Sequence, residues 1–209
     1  MCHSCLAPTP HTSNTTTSAV GVSNFGKTQL EEVLATGVKL AVNQCCYNMI
    51  FRSIEFDIIP FCIEKGIGIF AYSPLMQGLL TGRYKNADEV PIYRARTRHF
   101  DGKRDKSRHG EAGHEELLFK TIDAIRIISA DSGISMPDLA IAWPLHQTGV
   151  ACVIAGATKA SQIESNIKAI GTKIPGDVLE KLNAATEDLK QAMGSNADLW
   201  QGGDDARIM

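Results

Sequence analysis

The sequence predicts an α/β protein built on a parallel sheet or a parallel barrel. Four short apolar runs recur along the 209 residues, and a segment with helical periodicity separates each run from the next. Apolar runs of this length fit strands that are buried on both faces. Because strands joined through helices run in the same direction, four βα units in a row indicate a parallel sheet or barrel.

The first βα unit follows from one strand run and one amphipathic segment. The predicted strands of the whole chain are residues 19–23, 40–44, 67–73 and 151–154. After the first of them, Leu30, Val33 and Leu34 share one helical face, and Gly37 suits the end of that helix.

The second helix is predicted between the second and third strands. Ser53 can cap it, and Phe56, Ile59 and Ile63 share one face. Gly66 stands where a C-terminal glycine belongs, so we expect the helix to end there.

Three more helices are predicted in the second half of the chain. Two patterns cover residues 115–132 and 135–146, and a third covers 161–170. Pro137 falls in the first turn of its helix, where a missing N–H is harmless, whereas Pro144 should kink or end the same helix.

Residues 82–112 interrupt this alternation with a long loop of little apolar content. Its basic residues are Arg83, Lys85, Arg94, Arg96, Arg98, Lys103, Arg104, Lys106 and Arg108. Loops of this length in compact domains are usually functional or disordered. Apart from two arginines discussed below, we expect these arginines to be solvated.

The ends of the chain lack the patterns of the middle. Residues 1–18 are rich in Thr, Ser, Pro and Cys, so we expect a disordered arm, followed by a folded region at 19–190 and a tail at 191–209. Cys2 and Cys5 form a C-x-x-C pair without a second pair, and we expect neither a metal site nor a disulfide framework.

Charge and hydropathy exclude several classes of partner. A formal net charge of -2 and a pI near 6.3 give no global attraction to nucleic acid or to an anionic membrane surface. No window approaches the apolar length of a spanning helix, and the first residues lack the features of a signal peptide. We therefore expect a cytoplasmic protein.

Residues 21–28 satisfy the P-loop pattern G-x-x-x-x-G-K-[ST] between a predicted strand and a predicted helix. Taken alone, this pattern indicates an NTPase. Phosphoryl transfer also needs an acidic residue that holds Mg²⁺ at the end of another strand. The other strands end in Gln44, Ser73 and the turn at Ala155, so the sequence disfavours an NTPase.

Four blocks of the sequence resemble the aldo-keto reductase family, in the family's order. They are GVSNF at 21–25, VNQCCYN at 42–48, GIFAYSPLMQGLLTGRY at 68–84 and VIAGATKASQIESN at 153–166. Within the family, these blocks resemble those of bacterial aldo-keto reductases and potassium-channel β-subunits more closely than those of the aldose reductase type. The resemblance covers about residues 19–190 and implies a (β/α)8 TIM barrel. This sequence resembles its last four βα units, a half barrel.

The resemblance implies an NADPH-dependent oxidoreductase that reduces aldehydes and ketones by hydride transfer. Ser23 and Asn24 would hydrogen-bond the nicotinamide carboxamide, and Gln44 would hold its other side. Tyr72 would stack on the nicotinamide ring, although a tyrosine here can also be a plain core aromatic.

The end of the third predicted strand would line the pyrophosphate, partly through backbone donors that Pro74 and Gly78 leave accessible. The residues that would line it are Ser73, Leu75, Gln77 and Leu79. Arg83 and Arg94 match basic residues that reach the cofactor phosphates in the family.

The turn that begins at Gly156 and Thr158 opens a helix, where free N–H groups and the helix dipole favour a phosphate. Lys159 suits the 2′-phosphate and favours NADPH over NADH. Gln162 and Asn166 match the family's adenine contacts.

The family's catalytic Asp, Tyr, Lys and His belong to the first half of the barrel, and none of their motifs occurs in this sequence. We therefore expect no catalytic residue here and no activity of the chain alone, with a carbonyl substrate bound only when the barrel is completed. Four strands should leave two open edges that associate with a second copy or another partner. The alternatives are a non-catalytic NADPH-binding regulatory subunit and a truncated gene product.

Overall fold

The computed structural model describes residues 18–208, and these contain one parallel sheet of four strands in the order β1-β2-β3-β4. The strands are β1 (Val20–Ser23), β2 (Leu40–Cys46), β3 (Gly68–Tyr72) and β4 (Val150–Ile154). The predicted parallel sheet is confirmed, and each strand lies where an apolar run predicts it. The arm expected over 1–18, with Cys2 and Cys5, lies outside the described residues except for Ser18.

Seven α-helices lie within the described residues. They are α1 (Lys27–Ala35), α2 (Ile58–Lys65), α3 (Glu115–Ser132), α4 (Met136–Ala142), α5 (Ala160–Ile170), α6 (Gly176–Ala185) and α7 (Glu187–Met193). The helix α4 ends just before a 3-10 turn at Trp143–His146, because Pro144 cannot donate the next helical hydrogen bond. None of the helices at 18–208 has both the length and the apolar character needed to cross a membrane.

The predicted start of the second helix is wrong. Ser53 begins a 3-10 turn, and its buried hydroxyl has no hydrogen-bond partner, while α2 begins only at Ile58. Phe56 therefore lies outside α2, and both Phe56 and Ile63 are exposed, whereas Ile59 is buried as predicted. The residues before α2 are instead held by an ion-pair network that starts at Arg52.

The loop at 82–112 is anchored by side chains that we expected to be solvated. Arg98 is only 6% exposed. Its guanidinium donates to the Glu111 carboxylate and to the backbone carbonyls of Met193 and Asn196. The expectation is therefore wrong for Arg98, because the C-terminal tail folds back over the loop and supplies acceptors that the sequence pattern does not reveal.

One face of α5 is apolar and exposed. Ile163, Ile167 and Ile170 follow one another at helical spacing, and they are 53%, 64% and 55% exposed. The adjoining strand β4 is an outer strand of the sheet, with β3 as its neighbour, and Ile154 at its end is 40% exposed.

A buried histidine makes the stability of this fold depend on pH. His99 is fully buried, with Nε2 2.7 Å from the carbonyl oxygen of Ile50 and Nδ1 3.1 Å from the hydroxyl of Thr97. These partners suit a neutral imidazole that donates through Nε2 and accepts at Nδ1. Burial lowers the pKa of His99 from 6.5 to about 4.

We expect the free energy of unfolding to fall by about 1 kcal/mol between about pH 7.5 and about pH 5.5 through His99. The unfolded state takes up a proton near its ordinary pKa, whereas the folded state resists until about pH 4. The contribution is therefore complete above the unfolded pKa and is lost as the pH falls. Urea denaturation at the two pH values measures it, and His99→Gln should reduce the difference by about this amount, leaving the part due to other groups such as His109, whose pKa burial also lowers. An unchanged difference in that variant would contradict the assignment.

Candidate functional site

The four residues predicted to surround a nicotinamide meet at one edge of the sheet. The strand register places Ser23 beside Gln44, and the next strand brings Tyr72 to the same edge. The backbone N–H of Asn24 donates to the Gln44 carbonyl at 2.9 Å, and the Ser23 hydroxyl reaches that oxygen at 3.3 Å. The Tyr72 hydroxyl donates to Oδ1 of Asn24 at 3.1 Å. Parallel strands bring their carboxyl ends together here, as the sequence predicts.

The backbone at these strand ends adopts unusual conformations. Asn24 and Ser73, which follow β1 and β3, have φ values of +56° and +57°, and Gln77 has +54°. Few residues other than glycine adopt this left-handed region, and such residues cluster at ligand sites. Within the described residues, three of the five non-glycine residues with positive φ are therefore residues that the sequence predicts at a cofactor, the other two being Met76 and Lys106.

A cavity of about 790 Å³ lies beside this edge, within the size range of ligand pockets. Four parts of the chain line it: the turn after β3, two arginines of the long loop, the start of α4, and the turn between β4 and α5 with the first turns of α5. The predicted site residues in its lining are Ser73, Pro74, Leu75, Gln77, Gly78, Arg83, Arg94, Gly156, Thr158, Gln162 and Asn166.

Some predicted residues lie elsewhere. The side chain of Leu79 is 2% exposed and belongs to the hydrophobic core, so it does not line the cavity. Lys159 is exposed at the N-cap position before α5, outside the lining, and the four nicotinamide residues are also outside it. The lining residues that the sequence analysis missed are Met76, Thr81, Pro137, Ala155, Ala157 and Ser165. Most of these adjoin predicted residues, but Pro137 comes from α4, for which no motif gave a signal.

Gly78 allows two cations to approach the backbone of the turn. Its φ is +93°, and a Cβ at this position would lie 3.3 Å from Nη1 of Arg94 and 3.6 Å from the guanidinium of Arg83. Arg94 also donates to the Tyr84 hydroxyl at 3.0 Å, which holds the side chain beside the cavity. Two guanidinium groups over a glycine turn fit the pyrophosphate of a dinucleotide.

The start of α5 differs from the prediction. Oε1 of Gln162 accepts hydrogen bonds from the backbone N–H groups of Thr158 at 2.7 Å and Lys159 at 3.2 Å. The expectation that these N–H groups are free is wrong, because a glutamine at the third helical position folds back as a cap. Asn166 braces the same turn through the carbonyl of Gly156, at 3.5 Å. A phosphate that used the N–H groups of Thr158 and Lys159 would have to displace the amide of Gln162.

Three of the four tyrosines, Tyr47, Tyr72 and Tyr84, are engaged in other contacts, whereas Tyr93 is 68% exposed. Tyr47 is 1% exposed and donates to the Glu55 carboxylate at 2.7 Å, far into the core. The Tyr84 hydroxyl accepts from Arg94. Burial raises the pKa of Tyr47 and of Tyr72 well above the ordinary value for tyrosine, so both remain protonated at neutral pH.

The lysine of the P-loop pattern lies at the protein surface in this structure. Lys27 begins α1 and forms an exposed ion pair with Glu31, 3.7 Å away along the helix. The backbone N–H of Gly26 donates to Gln29, so this turn is closed by its own helix. Lys27 does not line the cavity.

Fold and site together define an α/β protein with a ligand-sized cavity at the carboxyl ends of parallel strands. The chain matches the Aldo/keto reductase family over residues 16–187, and it belongs to that family.

Several relatives show how much of a family member the chain represents. A probable voltage-gated potassium channel subunit beta of Arabidopsis thaliana is 31% identical over 72% of this chain and 46% of its own length. The NADH-specific methylglyoxal reductase of Escherichia coli is 30% identical over 75% of this chain and 44% of its own length. The glycerol dehydrogenase structure from Gluconobacter oxydans superposes with a TM-score of 0.63 at 26% identity, covering 91% of this chain and 52% of that one. The chain thus spans about half the length of these relatives.

Proposed function

We propose that this chain carries the cofactor-binding half of an NADPH-dependent oxidoreductase that acts on aldehydes or ketones. The observation that carries the proposal is the cavity in which Arg83 and Arg94 flank Gly78 at the end of β3. Membership of the aldo/keto reductase family supports it.

The chain's own residues would bind and orient the cofactor. A bound nicotinamide cofactor supplies a hydride for the carbonyl carbon. Asn24 and Ser23 offer amide and hydroxyl groups to a carboxamide, and Asn24 is held in place by the Tyr72 hydroxyl. The positive groups of Arg83 and Arg94 would neutralise phosphates, while the turn before α5 would border the adenosine.

The four-stranded sheet corresponds, in this proposal, to half of an eight-stranded barrel. Its strands are parallel and in sequential order, and β1 and β4 each have a free edge within the described chain. A proton donor for the carbonyl oxygen would come from the complementary half, since Tyr47 is already committed to Glu55. The chain alone would then bind cofactor without turning over substrate.

A second candidate is a non-catalytic subunit that binds NADPH. The Tyr47 hydroxyl donates to Glu55, and the Tyr84 hydroxyl accepts from Arg94. Both contacts favour this candidate, because neither tyrosine is placed to donate a proton to a substrate. The potassium channel subunit among the relatives is consistent with a regulatory role. Oxidation of NADPH in the presence of a carbonyl substrate separates the two candidates.

We expect NADPH to bind at least about tenfold more tightly than NADH, through a charge-assisted contact between Lys159 and the 2′-phosphate. Lys159 lies beside Thr158 and Gln162, which line the cavity, and its side chain is exposed. Titrating each cofactor against protein fluorescence measures both affinities.

Lys159→Ala should remove the preference, whereas Lys173→Ala, which deletes another exposed lysine, should preserve it. Equal affinities in the parent chain would refute the preference for NADPH. One relative is described as an NADH-specific reductase, so a preference for NADH is the alternative outcome of this titration.

A further inference from the structure

A second cavity, of about 260 Å³, lies between the long loop and the C-terminal tail. Its lining combines four cationic side chains with an indole and an amide, and no carboxylate from a described side chain takes part. The lining residues are Arg96, Lys106, Arg108, Trp200, Gln201 and Arg207. None of them was predicted at a site.

The positive charge of this cavity is compensated at one of its four cations. Arg207 is paired with the buried Asp198, with Nε 2.7 Å from the carboxylate. Within residues 18–208, Arg96, Lys106 and Arg108 form no ion pair, in contrast to Arg98 and Arg104 of the same loop. Three uncompensated cations around a small volume repel one another, and an anion between them would relieve that repulsion.

Arg96 stacks on an aromatic ring and has one buried N–H without an acceptor, and the side-chain oxygen of Gln201 in the same lining is also without a partner. The guanidinium of Arg96 lies over the ring of Trp200, with Cζ 4.9 Å from the ring centroid. Its Nε is buried and has no hydrogen-bond partner. A buried donor without a partner carries a desolvation cost, and it is uncommon in native proteins. The orphaned donor, held by an aromatic ring beside three other cations, fits an oxyanion.

We propose that this second cavity binds a phosphate group. Guanidinium groups match the geometry of phosphate oxygens, and the two exposed side chains of Lys106 and Arg108 can close over a small anion. Arg94 lines the first cavity, and Arg96 lines the second. Because these arginines are two positions apart in the sequence, their Cα atoms lie at most about 7 Å apart. The protein thus holds two neighbouring anion sites, and the second does not depend on the proposed cofactor function.

Calorimetric titration of the full chain with inorganic phosphate, glycerol 3-phosphate and glycerol tests the proposal. Fluorescence gives a second readout, because Trp200 is partly exposed at the cavity, whereas Trp143 is fully buried. Binding of either phosphate compound should weaken at least about tenfold in the double variant Lys106→Gln/Arg108→Gln. The control Lys120→Gln/Lys173→Gln removes the same charge from exposed lysines elsewhere and should bind as the parent does.

The three ligands distinguish the source of the phosphate. Tighter binding of glycerol 3-phosphate than of inorganic phosphate, without binding of glycerol, identifies a site for a small phosphoester. Equal binding of the two identifies a site for the free ion. Arg96→Gln, checked for folding by circular dichroism, should abolish the Trp200 signal. Absence of phosphate binding, or an equal loss of phosphate affinity in the control variant, overturns the proposal. If Arg96→Gln unfolds, the double variant Lys106→Gln/Arg108→Gln still tests the proposal, because both of its side chains are exposed.

Discussion

The purified chain should not reduce aldehydes or ketones at an enzymatic rate, even with NADPH present. Carbonyl reduction needs a proton donor within hydrogen-bond reach of the carbonyl oxygen, and general acid catalysis contributes about 10²–10⁴ in rate. Tyr47 is buried against Glu55, and Tyr72 donates to Asn24. The open sheet also lacks the fixed walls that hold a substrate in an attack geometry, so a second factor is lost at the same step.

NADPH oxidation with a panel of reactive aldehydes and quinones measures this directly. Circular dichroism and light scattering must first show that the sample is folded and of defined size. Saturable turnover by such a sample would show that the chain has recruited its own acid. Tyr84→Phe would then be the informative variant, because Tyr84 contacts Arg94 at the first cavity, and Tyr47→Phe would serve as its buried counterpart.

Arg52→Ala should lower the free energy of unfolding by about 3–5 kcal/mol. Arg52 is 6% exposed, and its guanidinium donates twice to Glu55, at 2.7 and 2.8 Å. A further N–H reaches the Thr186 hydroxyl at 2.9 Å, which ties the turn after β2 to the C-terminal helices. Burial alone would raise the pKa of Glu55, but the hydrogen bonds and charge of Arg52 outweigh it and hold that pKa below the usual range. Without Arg52, the largely buried carboxylate of Glu55 keeps contacts with Tyr47 and Lys190 but loses both guanidinium hydrogen bonds, so this range is the upper bound for the cost.

Urea denaturation of the variants measures this cost. The double variant Arg52→Met/Glu55→Gln should recover part of the loss, since it removes both charges and leaves the Tyr47 hydroxyl an acceptor. Lys181→Ala breaks an exposed pair with Asp177 and should cost less than about 1 kcal/mol. A cost for Arg52→Ala as small as that for Lys181→Ala would mean that the buried network contributes little.

The sheet could be predicted from the sequence because its strands are continuous apolar runs, which local pattern reveals. The helix α6 was missed although Val178 and Leu182 stand at helical spacing after Pro175, a signal that was available. The start of α2 could not be predicted in the same way. Its position depends on the pairing of Arg52 with residues more than a hundred positions further along the chain.

In the candidate site, too, the local turns could be predicted from the sequence, whereas contacts between distant residues could not. The turn after β3 and the turn before α5 were predicted by motif, and the structure brings them to one cavity. The hydrogen bonds that Gln162 accepts, and the burial of Leu79 and Arg98, depend on side-chain contacts that a motif does not contain. The second cavity joins Arg96 to Trp200, which are far apart in sequence and belong to no motif.

The exposed isoleucine face of α5 should make the solubility of this chain depend on temperature and on the anion of the buffer. Ile163, Ile167 and Ile170 are exposed, and the outer strand β4 has one edge without a neighbouring strand in the described residues. Attraction between such apolar surfaces weakens on cooling, and sulfate or phosphate strengthens it. Warm, salt-rich solutions therefore favour self-association of the chain, whereas cold, dilute buffers favour dispersed molecules.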